Sequence, residues 1–276
     1  MKRTVLFIIL FFSVLSINAQ VMNNNGEKVI RKIEVYAESS LKPYAVMAFN
    51  YNNDLELEEI VVNIPLTCKF RLKKQGNTIS RSDYDANGVI NNKVRYQYSL
   101  KEDLVNDCQI DNIGVDNSVL RFDYKYCYDN EGRLKTINKF EYFREENNSF
   151  KELSDRYKEI FEWDEKYNVY TTGENGWNWK LNQEYDYDIQ YKTREYYPDL
   201  HNETNIDLSK LCLNTTDYNR IETVTEWFGK HSKHYIESNN NYFFEIIYGN
   251  SNVSEIVVYS PHKYVEKKYK IYYWED

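Results

Sequence analysis

The chain has 276 residues, a formal charge of −8 at pH 7 and a mean hydropathy of −0.75. An acidic balance opposes nucleic-acid binding, which needs a basic surface to displace counterions from phosphate. An aromatic share of 16%, with 27 tyrosines, excludes a disordered chain, and 9 glycines and 4 prolines exclude a collagen-like one.

Lys2 and Arg3 form a positive start, Val5 to Leu15 is apolar apart from Ser13, and Ser16 to Gln20 turns small and polar. This is the layout of a secretory signal over residues 1–19, with cleavage expected after Ala19. Losing Lys2 and Arg3 takes the formal charge from −8 to −10. The apolar run is shorter than the roughly 20 residues of a membrane span, and no later segment reaches that length. No cysteine sits near the cleavage point, so a lipid anchor is not expected. The expected location is the periplasm or the cell exterior, with residues 20–276 forming one domain. Cys68, Cys108, Cys127 and Cys212 permit two disulfides in three pairings, and their wide spacing fits neither zinc nor a redox pair.

One theme then recurs: alternating aromatics, a polar turn and a short apolar run. Met47, Phe49 and Tyr51 lead to Asn52-Asn53-Asp54, then Leu55, Leu57 and Ile60. A shorter copy runs from Tyr84 through Asp85-Ala86-Asn87-Gly88 to Ile90. Ser99 to Ser118 lacks alternation and reads as a long connection folded over the sheet. Phe122, Tyr124, Tyr126 and Tyr128 alternate strictly, followed by Asp129-Asn130-Glu131-Gly132, Leu134 and Ile137. Period-two alternation puts one set of side chains on one sheet face. Asx residues close turns with their own side chains, and Gly accepts positive φ. Each copy is therefore a β-hairpin step.

The run Tyr126-Cys127-Tyr128-Asp129-Asn130-Glu131-Gly132-Arg133-Leu134 resembles the Y-D-x-x-G-R-L core of YD repeats of the RHS type. The whole chain, with Asn18-Ala19-Gln20 at the end of its leader, resembles exported Bacteroidetes proteins of unknown function built from tandem YD-like hairpins, some with a porin-like or rolled-sheet fold. Only this copy is close to the full motif; the others lack the Arg and often the Gly. The resemblance implies a fold and a compartment and no active site. It does not imply the toxin chemistry of RHS proteins, which resides in separate C-terminal domains.

Further along, Ile160 to Trp163, a turn from Asp164 to Asn168 and Val169 repeat the theme, and Asn175-Gly176 predicts a type I′ hairpin turn between strands near Tyr167–Glu174 and Trp177–Tyr187. Trp177 and Trp179 then share a strand face, with Trp163 one strand earlier. These three are the candidate ligand-binding residues, as a stacking platform for sugars; the other use of such rings is inward cross-strand packing, the commoner role of large aromatics. Asp186 and Asp188 share a strand face, as a glycosidase carboxylate pair might require, or as solvated residues. Pro198 to Arg220 breaks the β pattern. Ile206, Leu208, Leu211 and Cys212 in it approximate one short helix after Asn205, whose apolar side would plug one face or end of the sheet. His231 and His234, three apart, do not make a metal site on a strand. Phe243 to Tyr248, the turn Gly249 to Asn252, and Val253, Ile256 and Val258 give another hairpin, and Tyr264 to Trp274 a closing strand. That last strand carries charge on both faces, which argues against a lipid-facing barrel.

The sequence thus predicts an all-β, single-domain antiparallel meander forming a curved or rolled sheet, with one short helix at most. It points to no cofactor, no metal and no catalytic constellation. The expected role is a non-enzymatic binding or structural module whose partner is a glycan or another surface protein. The alternative is a secreted carbohydrate-active protein.

Overall fold

In the computed structural model, the described residues are 21–24, 26–64, 68–85, 87–91, 93–114, 118–144, 149–152, 157–163, 169–172, 175–178, 183–186, 194–213, 224–230, 234–239 and 242–274. They form β1 (Ile30–Ala37), β2 (Ala45–Tyr51), β3 (Leu57–Ile64), β4 (Cys68–Gln75), β5 (Thr78–Tyr84), β6 (Val94–Lys101), β7 (Leu104–Ile113), β8 (Val119–Tyr128), β9 (Leu134–Arg144), β10 (Phe150–Glu152), β11 (Tyr157–Trp163) and β12 (Val169–Thr172). After these come β13 (Asn175–Asn178), β14 (Gln183–Asp186), β15 (Arg194–His201), α1 (Leu208–Leu213), a 3-10 turn (Glu226–Phe228), β16 (His234–Asn239), β17 (Phe243–Gly249), β18 (Asn252–Tyr259) and β19 (Val265–Tyr273).

Among the described residues, 17 strands share one sheet and β13–β14 form a separate pair. From β1 to β9 each strand pairs antiparallel with the next, as do β15 to β19. β10 and β11 both pair with β9, and β12 pairs with β11. The predicted closing strand is β19, which also pairs with β1 and so joins the two ends of the chain. Among the described residues the sheet is rolled but not closed.

The recurring theme is a defined piece of backbone. In residues 52–56 and 129–133 the first residue's Oδ1 accepts two backbone N–H groups, Asp54 and Glu56 or Glu131 and Arg133, each at 2.9 Å. The fourth residue is left-handed, Leu55 at φ 61 and Gly132 at φ 78. The same turn closes at 85–89, and at 23–27 and 260–264, where the sequence pattern alone does not reveal it. Two hairpins use a tighter turn with two consecutive left-handed residues, Glu102-Asp103 and Asn250-Ser251.

Five returning strands then carry one extra residue just past the turn: Glu58, Asn106, Lys135, Ser254 and Glu266. Such a bulge takes a residue out of the ladder and steepens the local twist. It also explains the three-residue apolar spacing after each turn, as in Leu57 and Ile60, Leu134 and Ile137, and Val253 and Ile256, all buried.

Tyrosine serves these bulges. Tyr128 Oη donates to the Val105 carbonyl at 2.7 Å, Tyr273 Oη to Val253 at 3.0 Å and Tyr51 Oη to Ile30 at 2.7 Å. Each acceptor immediately precedes an irregular residue of the adjacent strand. A buried carbonyl without a donor is costly, so the hydroxyl replaces the missing ladder bond. In Tyr51-Asn52 and Tyr128-Asp129 one residue therefore caps a neighbour's bulge and the next closes its own turn.

The inner face of the roll is the core. Ile33, Val35, Met47, Phe49, Ile60, Val62, Phe70, Leu72, Tyr98, Ile256, Val258 and Tyr269 are all buried there. One end is filled by residues 204–211 and 224–229; the first of these lies in the second stretch expected to be irregular, of which residues 198–201 instead complete β15, and the predicted helix is α1. Ile206, Leu208, Leu211, Val224, Trp227 and Phe228 join the same core. The Phe228 ring meets Tyr126 edge-on at 5.0 Å and Tyr98 at 6.3 Å. Asn205 ties the plug to the sheet, accepting from Ile30 N at 3.0 Å and donating to Tyr51 Oη at 2.8 Å.

Two expectations are corrected. Ser99–Ser118 is not an irregular connection: it holds the end of β6, the Glu102-Asp103 turn and all of β7. The bulge at Asn106 shifts the inward row from Val105 to Cys108 and so hides the alternation. Asn175-Gly176 is not a hairpin turn: it lies inside β13, with Gly176 opposite Tyr185. Cys108 and Cys127 lie on neighbouring strands, but Cys108 is opposite Tyr124, three residues from Cys127. The odd offset puts the two thiols on opposite faces and excludes a bond between them. The side chains of Cys68 and Cys212 lie outside the described residues.

Candidate functional site

The outer face of the roll is polar, and it carries a hollow of about 460 Å³ on β5, β6 and β7. That volume is within the range of small-ligand sites. Alternation builds it: every second residue of these strands faces outward, and the register aligns Ser80, Gln97, Gln109 and Asp123 in one cross-strand row. The adjacent row is Arg95, Asp111 and Arg121. Thr78, Ser80, Arg95, Gln97, Gln109 and Asp111 supply the hydroxyl, amide, guanidinium and carboxylate groups of the lining.

Arg121 organises the floor beside the hollow. Its guanidinium donates to both carboxylate oxygens of Asp111, at 2.7 and 3.0 Å, and lies 3.8 Å from the centre of the Phe150 ring. The bond to Asp111 holds the Arg121 pKa above its ordinary value. Gln109, with its carboxamide oxygen turned to the same guanidinium, accepts from Nη2 at 2.9 Å. Asp123 is next to Gln109 in the row; burial pushes its carboxyl up, and its Oδ1 is buried with no hydrogen bond. The polar groups of the lining can exchange hydrogen bonds with a hydroxylated ligand, and the Arg121–Asp111 ion pair fixes the Gln109 amide among them beforehand.

A second cavity, of about 290 Å³, lies where the plug meets the turns, lined by Asp54, Glu56, Lys74, Asp103, Glu226 and Trp227. Lys74 pairs with Asp103 at 3.0 Å. Burial, with Glu27 nearby, raises the Glu226 carboxyl above its usual range. Inside the roll, Arg81 donates to Asp83 at 2.6 Å with its guanidinium 4.0 Å from the Phe70 ring and 4.3 Å from that of Tyr96. These groups satisfy one another and brace the interior.

Of the aromatic residues singled out in the sequence, two lie in described strands away from the hollow. Trp163 ends β11 opposite Val169, and Trp177 lies in β13 opposite Glu184. Their side chains, and the whole of Trp179, lie outside the described residues. Asp186 is opposite Asn175 in the β13–β14 pair, and Asp188 is outside the described residues, as is His231. The hollow on β5–β7 escaped sequence reasoning because its residues come from three strands and two of them, Gln109 and Asp111, from the stretch read as a connection.

No protein-family profile matches the chain, and no curated protein matches it. Among solved structures it is similar to a porin-like protein from Bacteroides vulgatus, at a TM-score of 0.59 and 10% identity, covering 89% of this chain and 98% of that one. It is also similar to a porin-like protein from Bacteroides uniformis, at a TM-score of 0.53 and 12% identity, again covering 89% and 98%. At such identities the likeness is one of fold: this chain has the rolled antiparallel sheet of those porin-like proteins.

Proposed function

We propose that the protein is an exported, non-enzymatic binding module that holds a glycan on the outer face of β5–β7. The observation that carries this reading is the hollow with its polar lining, Gln97, Gln109, Arg95 and Asp111, of which Gln109 and Asp111 are held by Arg121. Export rests on the leader-like pattern of residues 1–19, and the likeness to YD-type repeats rests on the turn at Tyr128 to Leu134.

A water-facing role agrees with the polarity of the roll. Across β1, β19 and β18 the outer row reads Glu34, Lys270 and Glu255. Arg71 pairs with Glu59 at 3.2 Å on the same side. A membrane barrel needs an apolar outer band, and a charge at mid-bilayer costs about 2–4 kcal/mol. No helix among the described residues is long and apolar enough to cross a membrane.

Trp163, Trp177 and Trp179 are proposed as a second element of binding, an aromatic platform on which sugars stack. A glycan array of the processed chain, followed by calorimetric titration, tests both parts. The Gln97→Ala, Gln109→Ala double variant is expected to lose binding at least tenfold with an unchanged urea melt, and Trp177→Ala to weaken it less. Full affinity in the double variant discards the hollow as the site.

A further inference from the structure

We propose that the hollow on β5–β7 takes an acidic glycan, with the carboxylate of a uronic-acid-type sugar on the Arg95 guanidinium, which presupposes that the hollow is a glycan site. Arg95 lines the hollow and is exposed. Its cross-strand neighbour is Asp111, but both oxygens of that carboxylate are taken by Arg121, at 2.7 and 3.0 Å. The row Arg95, Asp111 and Arg121 thus carries two guanidinium groups against one carboxylate. Among the described residues Arg95 makes no hydrogen bond and no ion pair.

The neighbouring row adds charge of the same sign. Lys73 stands opposite Ser80 at its β4 end and is exposed. The carboxylate on the other side of Lys73 is Glu59, already bonded by Arg71 at 3.2 Å and by Asn50 at 2.8 Å. Asp123, beyond Gln109, faces the positive charges of Arg121 and Lys125. The chain as a whole has a formal charge of −8, so the surplus of cations here is local. The spacing suits one sugar residue. The charged row and the polar row are two residues apart along each strand, about 7 Å, and adjacent strands are about 4.8 Å apart. A pyranose ring with its substituents bridges that span, with its carboxylate on Arg95 and its hydroxyls on Gln97 and Gln109. The planar guanidinium binds a carboxylate through two parallel N–H···O bonds, stronger than bonds between neutral groups. The amides both donate to and accept from hydroxyls.

The test is calorimetric titration of the processed chain with a galacturonic acid trisaccharide and with its methyl ester, which keeps the hydroxyls and loses the charge. The free acid is expected to bind about tenfold more tightly at low salt, and the difference should shrink as salt rises. Arg95→Gln should bring the free acid down to the level of the ester, Arg95→Lys should keep part of the preference, and Lys73→Gln should lower it less than Arg95→Gln. Lys42→Gln, on the β1–β2 turn, should leave it unchanged. The Arg95 side chain is exposed and unbonded, so its variants should fold, and urea melts check this. Equal binding of acid and ester, or a preference that survives Arg95→Gln, overturns the acidic ligand and leaves the glycan site standing. A sulfated galactan bound more tightly than the uronate overturns the carboxylate. Binding of neither trisaccharide nor any glycan on an array overturns both readings.

Discussion

Gly229→Ala should detach the plug from the roll. Gly229 has φ 89 and ψ −175, a conformation essentially closed to other residues. An added Cβ would lie 2.5 Å from the Gly132 carbonyl oxygen and 2.9 Å from the Tyr128 ring. Neither neighbour can yield cheaply: the first is backbone of the 129–133 turn, and the second is fixed by its hydrogen bond to Val105. Moving the segment away also strains the bond from Lys230 N to Gly132 O, now 2.9 Å. Backbone strain, overlap and the weakened bond together amount to about 4 kcal/mol. For a chain of this size that lowers Tm by roughly 10 °C. Gly132→Ala is the matched control: φ is 78, but nothing lies within 4 Å of its Cβ position. It should cost only the left-handed strain, about 1–2 kcal/mol. Urea melts give the two values, and hydrogen exchange over 204–213 and 224–230 shows where the loss falls. Equal destabilisation by the two substitutions, or protection in the plug unchanged by Gly229→Ala, would refute the docking argument.

Three other outcomes follow from the same geometry. Tyr128→Phe leaves the Val105 carbonyl without its donor and should cost about 1–2 kcal/mol in a urea melt, whereas Tyr36→Phe, at the half-buried Glu34 carboxylate that keeps its bond from Tyr272, should cost less. Lys263→Gly removes a left-handed strain at φ 64 from an exposed side chain and should stabilise by about 1 kcal/mol, read as a rise in the urea midpoint. Burial raises the Asp129 carboxyl, but bonds from the Arg133 and Glu131 amides and the Arg133 guanidinium outweigh it and hold the pKa below the usual value. Its contribution is therefore complete above the unfolded carboxyl pKa, about 3.9, and is lost as pH falls through the lower folded value. Asp129→Asn should flatten the stability profile in that acid window, measured by melts from pH 5 to pH 2.

The hairpin steps were legible because turn chemistry and alternation are both local. Asn52, Asp85 and Asp129 announce their turns with their own side chains, and the apolar spacing after each turn records the bulge. The copies at 23–27 and 260–264 were less legible, since in the latter Ser260 takes the Asx role and Lys263 the left-handed position. β7 was hidden for two compounding reasons. Glu102 and Asp103 adopt positive φ without Gly or Asn, and the bulge at Asn106 breaks the two-residue period. Asn175-Gly176 erred in the opposite sense, a strong turn signal overridden by pairing with β14.

The outer site lay further from view because polar residues facing outward look alike in a sequence, whether they bind or merely face water. What separates them is register. Gln97 and Gln109 are twelve positions apart, yet they are direct cross-strand partners, and Arg121 reaches back ten residues to Asp111 in the next strand. His201 and His234 are a stronger case, 33 positions apart and opposite each other only because β15 carries extra residues. In a meander every such neighbour is set by the lengths of turns and the positions of bulges. The residues that decide the surface chemistry are therefore the turn and bulge residues themselves: a one-residue change at Asn106 would move the upper part of β7, with Gln109 and Asp111, to the other face.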